Sequence, residues 1–168
     1  NVGAKGITAF IVTNDTPGFS TSKPYEKLGI HAAHSCTVFF EGCRIPDSQR
    51  LGGEGAGFKV AMSTLDGGRI GIAAQAIGIA RAAFEKAVAY SKERKAFGTP
   101  LAEKQAIQFM LADMATEIDA ARLLVHRAAA MKDHKQRHTR ESAMAKLFAS
   151  ETASRVTHAA VQIFGGIG

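Results

Sequence analysis

The chain has 168 residues, of which 46% are hydrophobic and 21% charged, and its formal net charge is +6. This composition predicts a soluble globular protein that can bury a sizeable core. The longest apolar run, around residues 70–80, is too short and too rich in glycine and alanine to cross a bilayer, and no segment has the features of a signal or transit peptide. Because the chain does not begin with methionine, we expect it to start inside a longer protein.

The positive charge suits an anionic partner, but its distribution argues against nucleic acid. Basic residues are spread along the chain, and their one dense stretch, residues 132–140, also holds an aspartate and two histidines. No basic stripe alternates with aromatic residues, and no nucleic-acid-binding motif occurs. Membrane headgroups and phosphate-bearing small molecules remain as the anions to consider. We interpret residues 132–140 as a solvated connection between two helices.

Residues 1–52 have the pattern of an incomplete β domain. The runs 6–13, 19–22 and 36–41 are rich in β-branched and aromatic residues, and turn signals such as residues 14–18 (NDTPG) separate them. Three strands are too few to close a sheet. We therefore predict part of a larger β domain whose other strands lie upstream.

Residues 53–168 have the pattern of an antiparallel helical bundle, which makes the predicted fold class α+β. Apolar positions recur there at alternating spacings of three and four, which keeps one stripe of a helix facing a partner. Breaks at residues 98–100 (GTP) and near His138 separate three such helices, and a fourth would follow Gly168. The predicted stripes are Phe58, Met62, Leu65, Arg69, Ile72, Ala76, Ile79 and Ala83; then Ile107, Leu111, Met114, Ile118, Ala121, Val125 and Ala128; then Met144, Leu147 or Phe148, Thr152, Val156, Ala160 and Ile163.

Arg69 lies on an apolar stripe, where an unpaired guanidinium costs several kcal/mol. An ion pair with Asp66, one turn earlier, is one interpretation, and a position facing a cleft or ligand is the other. Gly67 and Gly68 lie between the two residues. Each glycine costs about 1 kcal/mol relative to alanine inside a helix, so the pair favours a site where something approaches the backbone closely.

Other catalytic and metal-binding patterns are absent or weak. Residues 52–57 (GGEGAG) lack the Gly-Lys-Ser/Thr and the spacing of nucleotide-binding loops, so we interpret them as a strand-to-helix connection. His134 and His138 have helical spacing for a metal pair, but no third ligand accompanies them, and we predict no metal site. No Gly-x-Ser-x-Gly elbow occurs. Cys36 and Cys43 fit neither a zinc site nor a disulfide framework.

Four segments, in order and at the expected separations, resemble motifs of the acyl-CoA dehydrogenase family. The similarity also runs back through residues 27–29 and 44–46 to the first strand, so it covers essentially the whole chain. The four segments are residues 64–73 (TLDGGRIGIA), 93–98 (ERKAFG), 105–109 with 111–114 (QAIQF and LADM), and 161–168 (VQIFGGIG).

The resemblance implies roles for particular positions. Four residues would contact the acyl-CoA substrate: Asp66, Gly67, Gly68 and Arg69. Seven would bind the FAD of the neighbouring subunit: Arg94, Gln105, Gln162, Ile163, Phe164, Gly165 and Gly166. An arginine at a helix end suits a pyrophosphate, and bare glycine backbone lets amides approach a phosphate closely. A cofactor shared between subunits implies an obligate homo-oligomer, usually a dimer of dimers in this family.

The implied reaction is α,β-desaturation of an acyl-CoA thioester, followed by electron delivery to electron-transferring flavoprotein. In some members the catalytic base is a glutamate beyond the last motif, and in others it directly precedes the arginine of the first helix. The second position is Gly68 here, so we assign no catalytic residue to this chain and expect the base beyond Gly168. Glu93, Glu103 and Glu117 are not assigned to that role, and the 168 residues alone are expected to be inactive.

The resemblance implies that the intact protein oxidises short-chain acyl-CoA, with butyryl-CoA the expected substrate. It would work in the mitochondrial matrix, or in the cytoplasm of a bacterium. A short-branched-chain acyl-CoA dehydrogenase is the alternative enzyme. A non-catalytic helical module for oligomerisation or binding is the alternative from a different class.

Overall fold

The computed structural model describes residues 2–168 and contains two compact units, one reaching to Met62 and the other running from Ser63 to Gly168. The boundary falls inside the first long helix, about ten residues beyond the change in sequence pattern near residue 52. Among the described residues, no helix is both long and apolar enough to cross a membrane.

The first unit holds two separate antiparallel strand pairs. Each of the three predicted runs contains a strand, but the strands are shorter than the runs, and the sequence pattern missed a fourth strand after a 3-10 turn at Asp47–Gln49. Strand β1 pairs with β4, and β2 pairs with β3. The bounds are β1 Ala9–Phe10, β2 Phe19–Thr21, β3 Val38–Phe40 and β4 Arg50–Leu51.

Gly57 begins the first helix where the chain passes close to β1. Its amide donates a hydrogen bond of 2.7 Å to the carbonyl of Ile7. A Cβ atom at this position would lie 2.8 Å from that same oxygen and from the backbone nitrogen of Ala9. Residues 52–57 are therefore a strand-to-helix connection, as predicted, and a glycine is required where the helix starts.

Three long helices are present, as predicted, and from Ser63 onward they form the second unit. Between the first two lie a short hairpin, β5 Lys95–Ala96 with β6 Thr99–Pro100, and a 3-10 turn at Leu101–Glu103. The helices are α1 Gly57–Glu93, α2 Gln105–Asp133 and α3 Thr139–Phe164, and a 3-10 turn, Gly165–Ile167, follows α3.

The core of the second unit has two layers that define the helix directions. The first layer joins Ala73 and Ala76 of α1 to the later part of α2 and the start of α3. The second joins Ala80 and Ala87 to the start of α2 and the end of α3. Helix α2 is therefore antiparallel to α1 and α3, which confirms the antiparallel arrangement. Their remaining buried members are Ala121, Val125, Ala128, Ala145 and Ala149, then Met114, Ile118, Val156, Ala160 and Ile163.

The predicted stripe of α2 is confirmed, but that of α1 is wrong at most positions. Ile72 and Ile79 are each 51% exposed, while the adjacent Ala73 and Ala80 are buried. Helix α1 carries apolar residues on two neighbouring faces, and periodicity favours the face with the larger side chains. The core instead takes the alanine face, where helices can approach closely. The other exposed members of the predicted stripe are Phe58, Met62 and Leu65.

The stripe of α3 is correct in its second half only. Thr152, Val156, Ala160 and Ile163 are buried, whereas Met144 and Leu147 are 45% and 58% exposed. Phe148 packs on the core in a partly buried position. In the first half of α3 the buried positions are small or polar residues, which a hydrophobic pattern does not single out: Glu141, Ser142, Ala145 and Ala149.

Residues 134–138 connect α2 to α3, as predicted for the basic stretch. Lys135 has a φ of 55°, and the amide of Gln136 donates to the carbonyl of Met131 at 2.9 Å. This is the hydrogen-bond pattern of a helix end closed by one left-handed residue. His134 and His138 lie on either side of the turn rather than on one helix, and no group of metal-ligating side chains occurs within residues 2–168. Cys36 and Cys43 are free thiols.

Candidate functional site

Asp66 and Arg69 form an ion pair on α1, so the first of the two interpretations is confirmed. The guanidinium Nη1 lies 2.9 Å from Asp66 Oδ1, and the two side chains are 35% and 20% exposed. The other carboxylate oxygen, Oδ2, accepts a hydrogen bond of 2.7 Å from Thr139 Oγ1 at the start of α3. The pair therefore also links two helices that are distant in sequence.

Arg69 borders an open cleft of about 650 Å³ beside the start of α3, which makes the second interpretation compatible with the first. Three guanidinium groups line the cleft, and the amino-terminal end of α3 adds the partial positive charge of its unpaired amides. The lining residues are Arg69, Met131, Arg137, Thr139, Arg140, Glu141 and Ala143.

Arg137 is the unneutralised charge of this cleft. Arg69 is paired with Asp66, and Arg140 donates to Glu141 at 2.7 and 3.1 Å. Arg137 has no hydrogen bond or ion pair within the described part of the chain. A guanidinium left free in a cleft is available for two hydrogen bonds to an anionic group such as a phosphate. Sequence reasoning missed this residue, since the only signal was the basic character of the connection.

Glu141 is a buried carboxylate at the edge of the cleft, with 7% of the residue exposed. The hydrogen bond from Arg140 holds the pKa of Glu141 below its ordinary value of 4.5, and the charge of Arg127 acts in the same direction. Arg127 lies 3.5 Å away on α2. The carboxylate therefore stays ionised and fixes Arg140 beside the cleft.

Gly67 and Gly68 meet different surroundings on α1. A Cβ atom on Gly67 would lie 3.2 Å from the amine of Lys132, so this glycine makes room for the lysine side chain of α2. A Cβ atom on Gly68 would have no neighbour within 4 Å. The backbone at Gly68 is therefore open.

Arg94 lies directly after α1, at the opposite end of the helical unit. It is exposed, and its carbonyl accepts a hydrogen bond of 2.8 Å from Leu101, which closes the β5–β6 hairpin. The hairpin turns through Phe97 and Gly98, whose φ angles are 53° and 84°. Two positive φ values in a two-residue turn are typical of tight hairpins. Phe97 is 99% exposed, so the turn presents an aromatic ring near Arg94.

Gln105 is exposed at the first position of α2, after the 3-10 turn that follows the hairpin. The β5–β6 hairpin and the 3-10 turn after it therefore separate Arg94 from Gln105. Phe97 lies inside the segment 93–98, but sequence reasoning gave it no role, because its positive φ is a property of the folded hairpin.

The glycine-rich segment at the end of α3 lies at this same end of the unit. Phe164 stacks on Tyr90 of α1, with ring centroids 4.4 Å apart and planes at 16°. Ile163 is only 3% exposed and belongs to the core. The side chains of these two residues hold the segment in place, while Gln162, Gly165 and Gly166 are exposed. A Cβ atom on Gly165 or Gly166 would have no neighbour within 4 Å.

The two groups of predicted site residues do not meet within one chain. Arg69 lies 24 residues before the end of α1 at Glu93, which corresponds to about 36 Å along a helix. One end of the unit therefore carries the cleft with three arginines, and the other carries the hairpin and the glycine-rich turn. Of the glutamates that were not assigned as the base, Glu117 forms an ion pair with Arg155 at 2.9 Å.

Comparison with known proteins gives consistent matches. Residues 55–168 match the family model for the acyl-CoA dehydrogenase C-terminal domain. The chain is 56% identical over 164 residues to the mitochondrial short-chain specific acyl-CoA dehydrogenase of Mus musculus, covering 98% of this chain and 40% of that protein. It is 52% identical over 166 residues to the acryloyl-CoA reductase (NADH) of Anaerotignum propionicum, covering 99% of this chain and 42% of that protein.

Among solved structures, butyryl-CoA dehydrogenase from Megasphaera elsdenii superposes with a TM-score of 0.95 at 53% identity. That match covers 98% of this chain and 43% of the other. The chain thus spans about 40% of the length of the curated relatives it matches.

Proposed function

This chain belongs to the acyl-CoA dehydrogenase family, and on that premise we propose that the whole protein carries out FAD-dependent α,β-dehydrogenation of short-chain acyl-CoA thioesters. The observation that carries the proposal is the cleft beside α3. It combines the free guanidinium of Arg137 with those of Arg69 and Arg140. Coenzyme A bears several phosphates, and this cleft is suited to phosphate recognition.

The residues of the cleft have separate tasks in substrate binding. Arg137 contributes a full charge for a phosphate, because no carboxylate neutralises it. Asp66 and Arg69 orient the remainder of the coenzyme A moiety, with the open backbone of Gly68 beside them. Binding energy from this remote part of the substrate positions the thioester for the chemical step.

The opposite end of the unit carries exposed groups whose chemistry suits FAD. Arg94 offers a charge for a pyrophosphate, Gly165 and Gly166 offer open backbone, and Phe97 offers a ring for stacking. Gln105 and Gln162 add exposed amides. When bound, FAD supplies the electron acceptor for the hydride that leaves the β-carbon.

The distance between the two ends supports a cofactor shared between subunits. Because about 36 Å along α1 separates the two groups, we assign them to two binding sites rather than to one. In the proposed homo-oligomer, a dimer of dimers, each helical unit binds the substrate of its own site at one end and contributes to the FAD site of a neighbouring subunit at the other.

The base that removes the α-proton is proposed to lie beyond Gly168. Gly68 occupies the alternative position on α1 and has no ionisable side chain. The proposed electron acceptor is electron-transferring flavoprotein, and the proposed location is the mitochondrial matrix or a bacterial cytoplasm. Similarity to short-chain specific acyl-CoA dehydrogenases of Mus musculus and Megasphaera elsdenii supports the short-chain preference.

The experiment is an absorption spectrum of the whole purified protein, recorded before and after anaerobic addition of butyryl-CoA. We expect a flavin band that bleaches with the straight-chain substrate. Bleaching only with a short-branched-chain acyl-CoA would identify the alternative enzyme. A protein without flavin that still oligomerises would contradict the proposal and favour a non-catalytic module. A flavin reduced by NADH and reoxidised by an enoyl-CoA would instead indicate a reductase, like the relative from Anaerotignum propionicum.

A further inference from the structure

The side chain of Thr139, on α3, forms a hydrogen bond to the Asp66–Arg69 pair on α1. Thr139 is the first residue of α3, and its hydroxyl donates to Asp66 Oδ2 at 2.7 Å across 73 positions of sequence. A threonine hydroxyl can also bond to backbone groups of its own segment. His138, the residue before the helix, makes no capping hydrogen bond, and the single hydroxyl proton of Thr139 goes to Asp66.

Asp66 is thereby held through both of its oxygens. Oδ1 accepts from Arg69 Nη1 at 2.9 Å, and Oδ2 accepts from Thr139. A carboxylate bound on both sides has a single rotamer, and the nearby start of α3 favours its negative charge. The guanidinium of Arg69 is consequently fixed in direction at the edge of the cleft.

We propose that Thr139 is a positioning residue for coenzyme A recognition, acting through Asp66 to hold Arg69 toward the cleft; this inference rests on the proposed function of that cleft. Without the hydroxyl, Asp66 and Arg69 can still pair, but the pair is free to turn. Free rotation adds an entropic cost to each binding event, so affinity for coenzyme A falls while the chemical step is unaffected.

The test uses the whole protein and two readouts, calorimetric affinity for coenzyme A alone and steady-state kinetics with butyryl-CoA. Thr139→Val keeps the shape of the side chain and removes the hydroxyl. We expect coenzyme A affinity and KM to worsen about 3- to 10-fold, with kcat within about two-fold of the parent. Thr139→Ser, which restores the hydroxyl, should return both values to within about two-fold. Thr157→Val is the matched control, because its hydroxyl donates to carbonyls of its own helix.

A double-mutant cycle separates positioning from direct contact. Thr139→Val should change affinity less than two-fold in an Arg69→Gln background, since the residue it positions is gone. Equal effects in both backgrounds would show that Thr139 acts independently of Arg69 and would overturn the inference. If Arg69→Gln weakens binding but Thr139→Val does not, only the positioning role fails. If Arg69→Gln leaves affinity unchanged, the assignment of the cleft to coenzyme A fails, and the inference with it.

Discussion

Substitution of Gly165 by alanine isolates the cost of one backbone conformation. Gly165 ends α3 with φ 67° and ψ −133°, and its amide donates to the carbonyls of Val161 and Gln162. A Cβ atom there would meet no atom within 4 Å. Steric conflict with neighbouring residues therefore contributes nothing, and only the dihedral angles oppose the substitution. A side chain in such a sparsely populated region costs about 1–3 kcal/mol.

The adjacent Gly166 provides the matched control. It is equally open, with no neighbour within 4 Å of a Cβ atom, but its φ is not positive. Gly166→Ala should therefore change the free energy of unfolding by no more than about 0.5 kcal/mol. Both variants would be compared with the parent by urea denaturation at one temperature, with the slope of the transition unchanged.

Equal destabilisation by the two substitutions would refute the reasoning, because the positive φ of Gly165 would then not be the cause of the lost stability. A Gly165→Ala cost below about 0.5 kcal/mol would do so as well, since the left-handed conformation would then not be required. For a domain of this size, each kcal/mol corresponds to a change of about 2–4 °C in Tm. In the whole protein, weaker FAD binding by Gly166→Ala at unchanged stability would support the proposed cofactor contact.

Three further predictions concern the core, the buried carboxylate and the hairpin. Ile118→Ala should lower the free energy of unfolding by about 2–5 kcal/mol. Leu123 lies on the same helix and is 71% exposed, so Leu123→Ala should change the free energy of unfolding by no more than about 0.5 kcal/mol. Similar values for the two variants would contradict the assigned core. Hydrogen bonding to Arg140 lowers the pKa of Glu141, so the ionised Glu141 stabilises the fold above the ordinary pKa of 4.5, and this stabilisation is lost as pH falls through the lower folded-state pKa. Glu141→Gln should remove this part of the acid dependence of Tm. An unchanged dependence of Tm on acid pH would contradict the prediction. Phe97→Gly should stabilise the chain by up to about 1 kcal/mol, since it relieves a positive φ at an exposed residue; a loss of stability would show that the ring packs on the protein.

The helices were predictable because the spacing of apolar residues, helix breaks and turn signals agree along most of the second unit. Helix α2 shows this best, since its buried positions Met114, Ile118, Ala121, Val125 and Ala128 are those of the predicted stripe. Helix α1 was misjudged because apolar residues occupy two faces, and the one with larger side chains gives the stronger pattern. Only the packing partner decides between such faces, and the partner is not encoded in the spacing.

The candidate site was predictable where it is local and not where it depends on distant segments. The pair of Asp66 and Arg69 follows from helical spacing. The hydrogen bond from Thr139 to Asp66 joins positions 73 residues apart, and the sequence of neither segment predicts it. The same holds for Arg137, whose significance depends on the cleft that the fold assembles around it. Turn propensities also do not predict a phenylalanine at positive φ in a hairpin, because they favour glycine or asparagine at such a position.

The alanine-rich interior has a consequence for which sequences this fold accepts. Nine of the fourteen buried hydrophobic residues among those described are alanines. In a core of large side chains, one hydrophobic residue can be replaced by another of similar volume. An alanine between closely packed helices can be replaced by a smaller residue only with glycine, and a larger side chain forces the helices apart. In a library of all single substitutions, tolerance should therefore be lowest at these small residues. It should be highest at bulky exposed ones such as Leu123 and Leu147, the reverse of the usual ranking by side-chain size.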